Sequence, residues 1–233
     1  MTPQPNILVI IPAFNEAASI ESVITDIPEE FAREVVVVNN ASTDTTERNA
    51  RQAGATVLRE ARRGYGYACL KGIEYAKQKS PAPDIIVFLD GDYSDFPNEI
   101  IRLVRPIQHG ADLVIGSRTL GEREPGAMLP QAIFGNWLAT SLIKLFYGVR
   151  FTDLGPFRAI KFSKLLELQM RDKTFGWTVE MQVKAAKKKF RCVEVPVSYR
   201  KRIGVSKITG TVSGTLKAGY KIITTIFGLL FAD

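Results

Sequence analysis

The sequence predicts an α/β fold with a mostly parallel central sheet and helices on both faces, and three observations carry that expectation. Short runs that are apolar on both faces recur along the first half, segments of helical periodicity alternate with them, and a cluster of polar side chains follows three of the runs directly. Buried parallel strands read as continuous apolar runs because helices cover both faces of the sheet. A βαβα order of this kind is what builds such a sheet.

The runs are Asn6–Ile11 (NILVII), Glu34–Asn39 (EVVVVN), Asp84–Asp90 (DIIVFLD) and Asp112–Ser117 (DLVIGS). Helical periodicity fills Glu16–Asp26, Thr45–Ala53, Gly66–Lys79 and Pro97–Arg105, with Asp44 placed to cap the second and Pro97 near the first turn of the last. The second half is less regular. Met128–Tyr147 is a mostly apolar helical stretch interrupted by Asn136 and Lys144, so it reads as a packed helix and not as a membrane span. Phe157–Ile160 (FRAI) and Phe190–Tyr199 (FRCVEVPVSY) read as strands, with a helix over Val179–Lys188 between them. Gly121–Gly126 and Tyr199–Gly210 are polar, Gly-containing loops suited to closing over a ligand.

There is no internal repeat, low-complexity tract or Pro/Ser linker, so residues 1–210 read as one domain followed by a C-terminal helix over 211–233. Ile222–Ala232 is an uncharged, mainly apolar run of eleven residues, where a span needs about 20. Preceded by Lys217 and Lys221, it is open to two readings: an amphipathic segment lying in a membrane interface, or one packed on the core. The opening MTPQPNILVI has no basic region followed by a long apolar stretch and does not read as a signal peptide, so the expected location is cytoplasmic, either free or peripheral at the cytoplasmic face of the membrane. Cys69 and Cys192 lie far apart with no CxxC pairing and read as reduced thiols.

The net charge of +7 is unevenly placed. Lys184 to Lys221 holds eleven Lys and Arg against one acid, Glu194, so this segment carries +10 and the rest of the chain −3. Such asymmetry suits a polyanionic partner, whether ligand phosphates, anionic head groups or nucleic acid; the plainer reading is a solvated basic face. No basic-aromatic recognition motif supports nucleic acid.

Four clusters carry chemistry, and three of them follow a predicted strand directly. Asp90-Gly91-Asp92 sets two carboxylates one residue apart, able to share a hard divalent cation that substrate phosphates complete, though capping aspartates in a turn would look the same. Ile11–Glu16 (IPAFNE) offers Asn15 and Glu16 as hydrogen-bond acceptors for a base or ribose. Arg62–Gly72 (RRGYGYACLKG) sets Arg63 and Gly64 before a helix, where cations and backbone N–H groups meet a phosphate; it is not a P-loop, since no GK[ST] follows. The fourth cluster in the series, NNASTD after the second run, carries Asn39-Asn40 where an acidic pair is the alternative.

In this order and spacing the clusters resemble those of inverting family-2 glycosyltransferases with the GT-A nucleotide-sugar fold, and the resemblance covers nearly the whole chain. Later stretches are similar to the dolichol-phosphate-mannose-synthase-like branch: VIGSR (Val114–Arg118), DLGPFRAI (Asp153–Ile160), FGWTVEMQVKA (Phe175–Ala185) and VPVSYRKRIGVSK (Val195–Lys207). The resemblance implies that Pro12, Asn15, Glu16, Asn40 and Asp44 line a nucleoside pocket. It also implies that Asp90 lies near ribose or metal, that Asp92 is the principal ligand of Mg2+ or Mn2+, and that Arg202, Ser206 and Lys207 belong to a loop folding over the diphosphate. A hydroxyl acceptor needs a general base, for which Asp153 and Glu180 are the candidates. A lipid-phosphate acceptor is already ionised and needs cations instead, and the resemblance implies Arg118 as one of them.

The implied activity is metal-dependent transfer from a UDP- or GDP-sugar to a polyprenyl phosphate or other lipid-linked acceptor at the membrane surface. The alternatives are transfer to a small soluble hydroxyl acceptor and non-catalytic nucleotide-sugar binding. Around Met128–Trp137 the chain has Leu129, Gln131, Phe134 and Gly135 where that branch carries further basic and hydroxyl residues. A sugar-nucleotide nucleotidyltransferase would carry a Gly-rich opening where PAFNE stands. His109 reads as a helix-end cap, and Trp177 either as a sugar-stacking ring or as core.

Overall fold

The computed structural model describes residues 5–204 and 212–231. A seven-stranded sheet runs through it in the order β3-β2-β1-β4-β6-β5-β7, formed by β1 (Ile7–Ala13), β2 (Glu34–Asn39), β3 (Thr56–Arg59), β4 (Ile85–Phe88), β5 (Leu113–Ser117), β6 (Arg158–Lys161) and β7 (Cys192–Pro196). The helices are α1 (Ile20–Thr25), α2 (Thr46–Gln52), α3 (Tyr65–Lys77), α4 (Ile100–Gln108, after a 3-10 turn at Pro97–Glu99), α5 (Pro130–Tyr147), α6 (Phe162–Leu168), α7 (Trp177–Lys187) and α8 (Val212–Gly228).

The strands alternate as a doubly covered sheet requires. Leu8, Ile10, Val36, Val38, Ile86 and Phe88 point into one core with α3, α5, α6 and α7, while Ile7, Val9, Ile11, Val37, Ile85 and Val87 point into the other with α1 and α4. At ~25 cal/mol per Å2 of buried apolar surface, these two layers are the principal source of stability. β1 sits centrally and pairs in parallel with both β2 and β4, Ala13 opposite Asn39 and Ile10 opposite Phe88. The loops leaving these three strands therefore meet along one edge, where such sheets bind ligands.

The sheet is mostly parallel, as expected, but β6 runs antiparallel to both neighbours, β4 and β5. Two elements escape the sequence reading. β3 is a four-residue edge strand with a half-exposed pattern, and α6 is a seven-residue helix that buries Phe162, Leu165 and Leu168. The predicted Phe190–Tyr199 strand is shorter, ending at Pro196, and the first helix begins later than Glu16, at Ile20.

The Met128–Tyr147 stretch is helical, but of its side chains only Ala139, Thr140 and Ile143 are buried; Phe134, Trp137 and Leu145 face outward. The expectation of a well-packed helix is corrected on that side. Among the described residues, no helix is long and apolar enough to cross a membrane. α8 packs Ile226 against the core and leaves Leu216, Tyr220 and Ile223 exposed. Trp177 belongs to the core, edge-on to Phe88 at 5.9 Å between centroids. His109 caps α4 with Nδ1 2.7 Å from the Arg105 carbonyl, and both cysteines are free.

Candidate active site

A cavity of about 320 Å3 opens where the loops after β1, β2 and β4 converge. Of the residues singled out in the sequence, Pro12, Glu16, Asn40, Arg63, Gly64, Asp90, Asp92 and Arg202 line it; Phe14, Tyr65, Thr174 and Phe175 add walls that the sequence reading did not name. Asn15 and Asp44 build the loops behind. Asn15 accepts the Thr43 amide through Oδ1 (2.8 Å) and donates its own amide to Ser42 Oγ (3.0 Å). Asp44 accepts the amides of Ala17 (3.2 Å) and Thr46 (2.9 Å). Ser206 and Lys207 lie outside the described residues.

The Asn39-Asn40 pair is committed to donors and acceptors of both kinds. Asn40 donates to the carbonyls of Arg62 (2.7 Å) and Glu60 (3.3 Å) while its Oδ1 accepts the Gly64 amide (2.8 Å). Its amide thus clasps the loop that presents Arg63, which stacks on Phe14 at 4.9 Å. Asn39 donates to Glu47 Oε2 (3.0 Å) and accepts the Ser42 amide (3.0 Å). An aspartate at either position would lose these donor roles. Both glycines of RRGYGY serve close packing: a Cβ would stand 2.3 Å from the Lys173 carbonyl at Gly64 and 2.1 Å from the Asp172 carbonyl at Gly66. The Tyr67 amide is taken by the Lys173 carbonyl (3.2 Å), so the residue 172–175 segment is seated against the start of α3 and forms the cavity's far wall.

At the end of β4 the two carboxylates differ. Asp92 Oδ1 accepts the Ser94 amide (2.9 Å) and hydroxyl (2.5 Å), which leaves Oδ2 toward Arg202 Nη1 at 3.2 Å. Arg202 Nη2 reaches Glu16 Oε1 at 3.1 Å, so one guanidinium bridges two acids of the cavity. The loop bearing it is pinned to the acidic turn by Arg200 N to Ser94 O (2.9 Å) and Ile203 N to Asp92 O (3.0 Å). Asp90 is more secluded. Its Oδ1 is buried without a hydrogen-bond partner among the described residues, and burial, followed by the charge of Asp92, pushes its carboxyl up to about 7. Asp95, which the sequence reading passed over although it ends the same DGDYSD cluster, has both oxygens buried and without a hydrogen-bond partner among the described residues. Burial and the neighbouring Asp90 raise it well above the usual carboxylate range.

Arg118 and the fully buried Asp153 come together as a bidentate pair: Nη2 to Oδ1 at 2.7 Å, Nε to Oδ2 at 2.8 Å, and the Arg118 amide to Oδ2 at 2.7 Å. Burial by itself would raise the Asp153 carboxyl, but the Arg118 charge and hydrogen bonds more than offset this and hold it below the usual range. The turn carrying Asp153 is fixed from two sides. Glu194 accepts the amides of Thr152 (2.9 Å) and Asp153 (3.1 Å), and Asn136 of α5 bonds Thr152 O (3.0 Å) and Leu154 N (2.8 Å). Both oxygens of Asp153 are thus engaged by Arg118.

Glu180 stands apart from this assembly. It accepts the amides of Arg171 (2.9 Å) and Asp172 (2.7 Å), pairs with Lys184 at 2.6 Å, and lines a second cleft of about 670 Å3 between α7 and α8. The structure gives it the work of holding the 171–172 backbone, because its position in the first turn of α7 aims it at those amides.

Residues 8–169 match the family described as Glycosyl transferase family 2. An uncharacterized glycosyltransferase of Mycobacterium tuberculosis is 32% identical over 91% of this chain and 94% of its own. An undecaprenyl-phosphate mannosyltransferase of Micrococcus luteus is 30% identical over 89% of each chain. Among solved structures, glucosyl-3-phosphoglycerate synthase from Mycobacterium tuberculosis, crystallised with Mn2+, uridine diphosphate and phosphoglyceric acid, superposes with a TM-score of 0.75 over 98% of this chain and 80% of its own. At 21% identity that likeness is one of fold.

Proposed function

The chain belongs to glycosyltransferase family 2 and is a glycosyltransferase, and from that premise we propose that it moves a hexose from a UDP- or GDP-sugar to a polyprenyl phosphate or another lipid-linked acceptor at the membrane surface. The observation that carries the donor half is the convergence of Glu16, Asn40, Arg63, Asp90, Asp92 and Arg202 on one cavity at the carboxyl edge of β1, β2 and β4. The acceptor half rests on the mannosyltransferase relative, whose name states an undecaprenyl phosphate, and on Arg118, a partly buried cation fixed in place by the buried Asp153.

Asp90 and Asp92 fit a divalent cation, Mg2+ or Mn2+. Both face the cavity, Asp90 Oδ1 has no other partner among the described residues, and two carboxylates with substrate phosphates are the usual donor set for such an ion. When bound, the ion neutralises charge that develops on the departing diphosphate. The chain's own residues do the rest. Asn40 holds the Arg62–Gly64 loop so that Arg63 faces the donor. Arg202, on a loop pinned to the acidic turn, lines the same cavity and supplies a second cation for the diphosphate. A phosphate acceptor arrives ionised, so the mechanism needs a fixed cation near the reacting oxygen more than a base, and the Arg118–Asp153 pair supplies it.

A second reading keeps the same donor site with a small phosphorylated acceptor, as the name of the phosphoglycerate-glucosylating neighbour suggests. A thermal-shift screen of UDP-, GDP- and dTDP-sugars with Mn2+ tests the donor assignment. A true donor at about 100 times its Kd stabilises the fold by about 2.7 kcal/mol, and no shift with any of them overturns it. Polyprenyl phosphate and phosphoglyceric acid offered side by side as acceptors separate the two readings.

A further inference from the structure

Two helices expose an apolar face that the core does not use. On α8, Leu216 (68% exposed), Tyr220 (73%), Ile223 and Phe227 recur at steps of four, three and four residues and form one stripe, while Ile226 on the other side is buried. On α5, Ile133, Phe134 (60%), Trp137 (60%), Leu145 (73%) and Phe146 are exposed while Ala139 and Ile143 are buried. The two faces join, since Phe146 and Phe227 meet edge to face with centroids 5.1 Å apart, and Tyr147 donates its hydroxyl to the Ile226 carbonyl. A joint apolar surface of this kind marks an interaction site.

The charge around it selects the partner. Neither helix contains an acidic residue, whereas Lys144 and Lys217 are exposed on them. The cleft beside α8 is mixed but basic on balance: Arg171, Lys184, Lys187, Lys188 and Lys221 line it with Glu167, Asp172 and Glu180. Lys221 and Lys184 pair with Asp172 and Glu180, so the cations open to head groups are those on the exposed helix faces, Lys144 and Lys217. A protein partner's surface offers both signs of charge; a sheet of anionic head groups over hydrocarbon offers only the one that matches. Neither α5, at 18 residues, nor α8, at 17, is a spanning helix, since among the described residues none is long and apolar enough to cross. Helices of this type lie in the interface plane, with Trp and Tyr at head-group level and lysines extended to the phosphates.

We propose that the joint face of α5 and α8 is a docking surface for an anionic phospholipid membrane. The inference deepens the lipid-acceptor reading and rests on it. Its consequence for that site is direct: Asn136 of α5 bonds both sides of the turn that carries Asp153, and Asp153 fixes Arg118, so the helix seated in the interface also positions the acceptor-side cation.

Co-sedimentation of the full chain with phosphatidylcholine vesicles, with and without phosphatidylglycerol, tests it. Binding is expected to the mixed vesicles and to fall with salt. Lys144→Gln and Lys217→Gln are each expected to weaken it about fivefold, and Phe134→Ser and Trp137→Ser about tenfold each, with circular dichroism unchanged. Trp177 is already buried, so a blue shift of tryptophan emission on vesicle binding reports Trp137.

Equal binding to both vesicle types, binding that survives the α5 changes, or a solution dimer that Trp137→Ser dissociates without vesicle binding overturns the proposal. Donor hydrolysis in the same preparations tells the two readings apart. Hydrolysis with no vesicle binding removes the docking surface and leaves the transferase intact, whereas vesicle binding with no donor use removes the donor site alone.

Discussion

Arg202 Nη1 lies 3.2 Å from Asp92 Oδ2 while Nη2 lies 3.1 Å from Glu16 Oε1, so a side chain from the β7-following loop occupies the carboxylates that face the donor cavity. On the proposed metal assignment, a divalent cation and this guanidinium compete for Asp92. Arg202→Met is therefore expected to tighten Mn2+ binding in the absence of nucleotide by about fivefold, the worth of a partly exposed ion pair. It is expected to slow sugar transfer by about a hundredfold or more, since a cation aimed at the leaving group is lost. Calorimetric titration with Mn2+ and initial transfer rates check the two halves; weaker Mn2+ binding in the variant contradicts the competition.

Asn40→Asp replaces the two donations to Glu60 O and Arg62 O with a carboxylate facing carbonyls. The expected loss is about 1–3 kcal/mol of unfolding free energy, as for a buried polar group left unpaired, together with weaker donor binding as Arg63 loses its seat. Urea unfolding read against donor affinity checks this. Unchanged stability with altered preference between UDP- and GDP-sugars would instead make Asn40 a base-selecting residue.

Asp90 holds its proton up to about 7 in the folded chain against an ordinary 3.8. Between those values the native state binds more protons than the unfolded one, so this group's contribution makes stability fall as pH rises through the window. With Asp90 as a ligand, as proposed, a divalent cation competes with the same proton, so Mn2+ binding is expected to tighten as pH rises toward about 7 and to level off above it. The Mn2+-induced rise in Tm is expected to be larger at about pH 8 than at about pH 6, and Asp90→Asn is expected to flatten the difference.

The Arg118–Asp153 pair is bidentate, with Asp153 fully buried and Arg118 partly so. Asp153→Ala strands the guanidinium and is expected to cost about 3–5 kcal/mol. Replacing both residues with leucine is expected to recover much of that stability while acceptor use stays lost. Denaturation midpoints and KM for the acceptor separate these effects; full activity in the double variant contradicts a role for Arg118 in holding the acceptor.

Much of this was legible in the chain. Valines and isoleucines in unbroken runs announced β1, β2, β4 and β5, and the polar clusters at their ends announced the cavity, because in a parallel sheet those ends share an edge. What escaped depends on partners distant in sequence. β3 is short and half exposed, so its pattern is weak. The direction of β6 is set by its pairing with β4 and β5, not by its composition. Glu180 and Asp153 are both acids near plausible chemistry, and only the amides of Arg171 and Asp172 and the guanidinium of Arg118 reveal their different work. The Asn39-Asn40 pair reads as a departure in sequence, yet its donor groups are what close the loops around the site.

The central claim is metal-assisted donor use at the Asp90–Asp92 turn. Its most direct test is transfer of labelled sugar from the donor that stabilises the fold to polyprenyl phosphate, with Mn2+ present, by the wild-type chain and by Asp92→Ala. The account predicts transfer by the wild type and a loss of about a hundredfold or more in the variant. Equal rates in the two would contradict it.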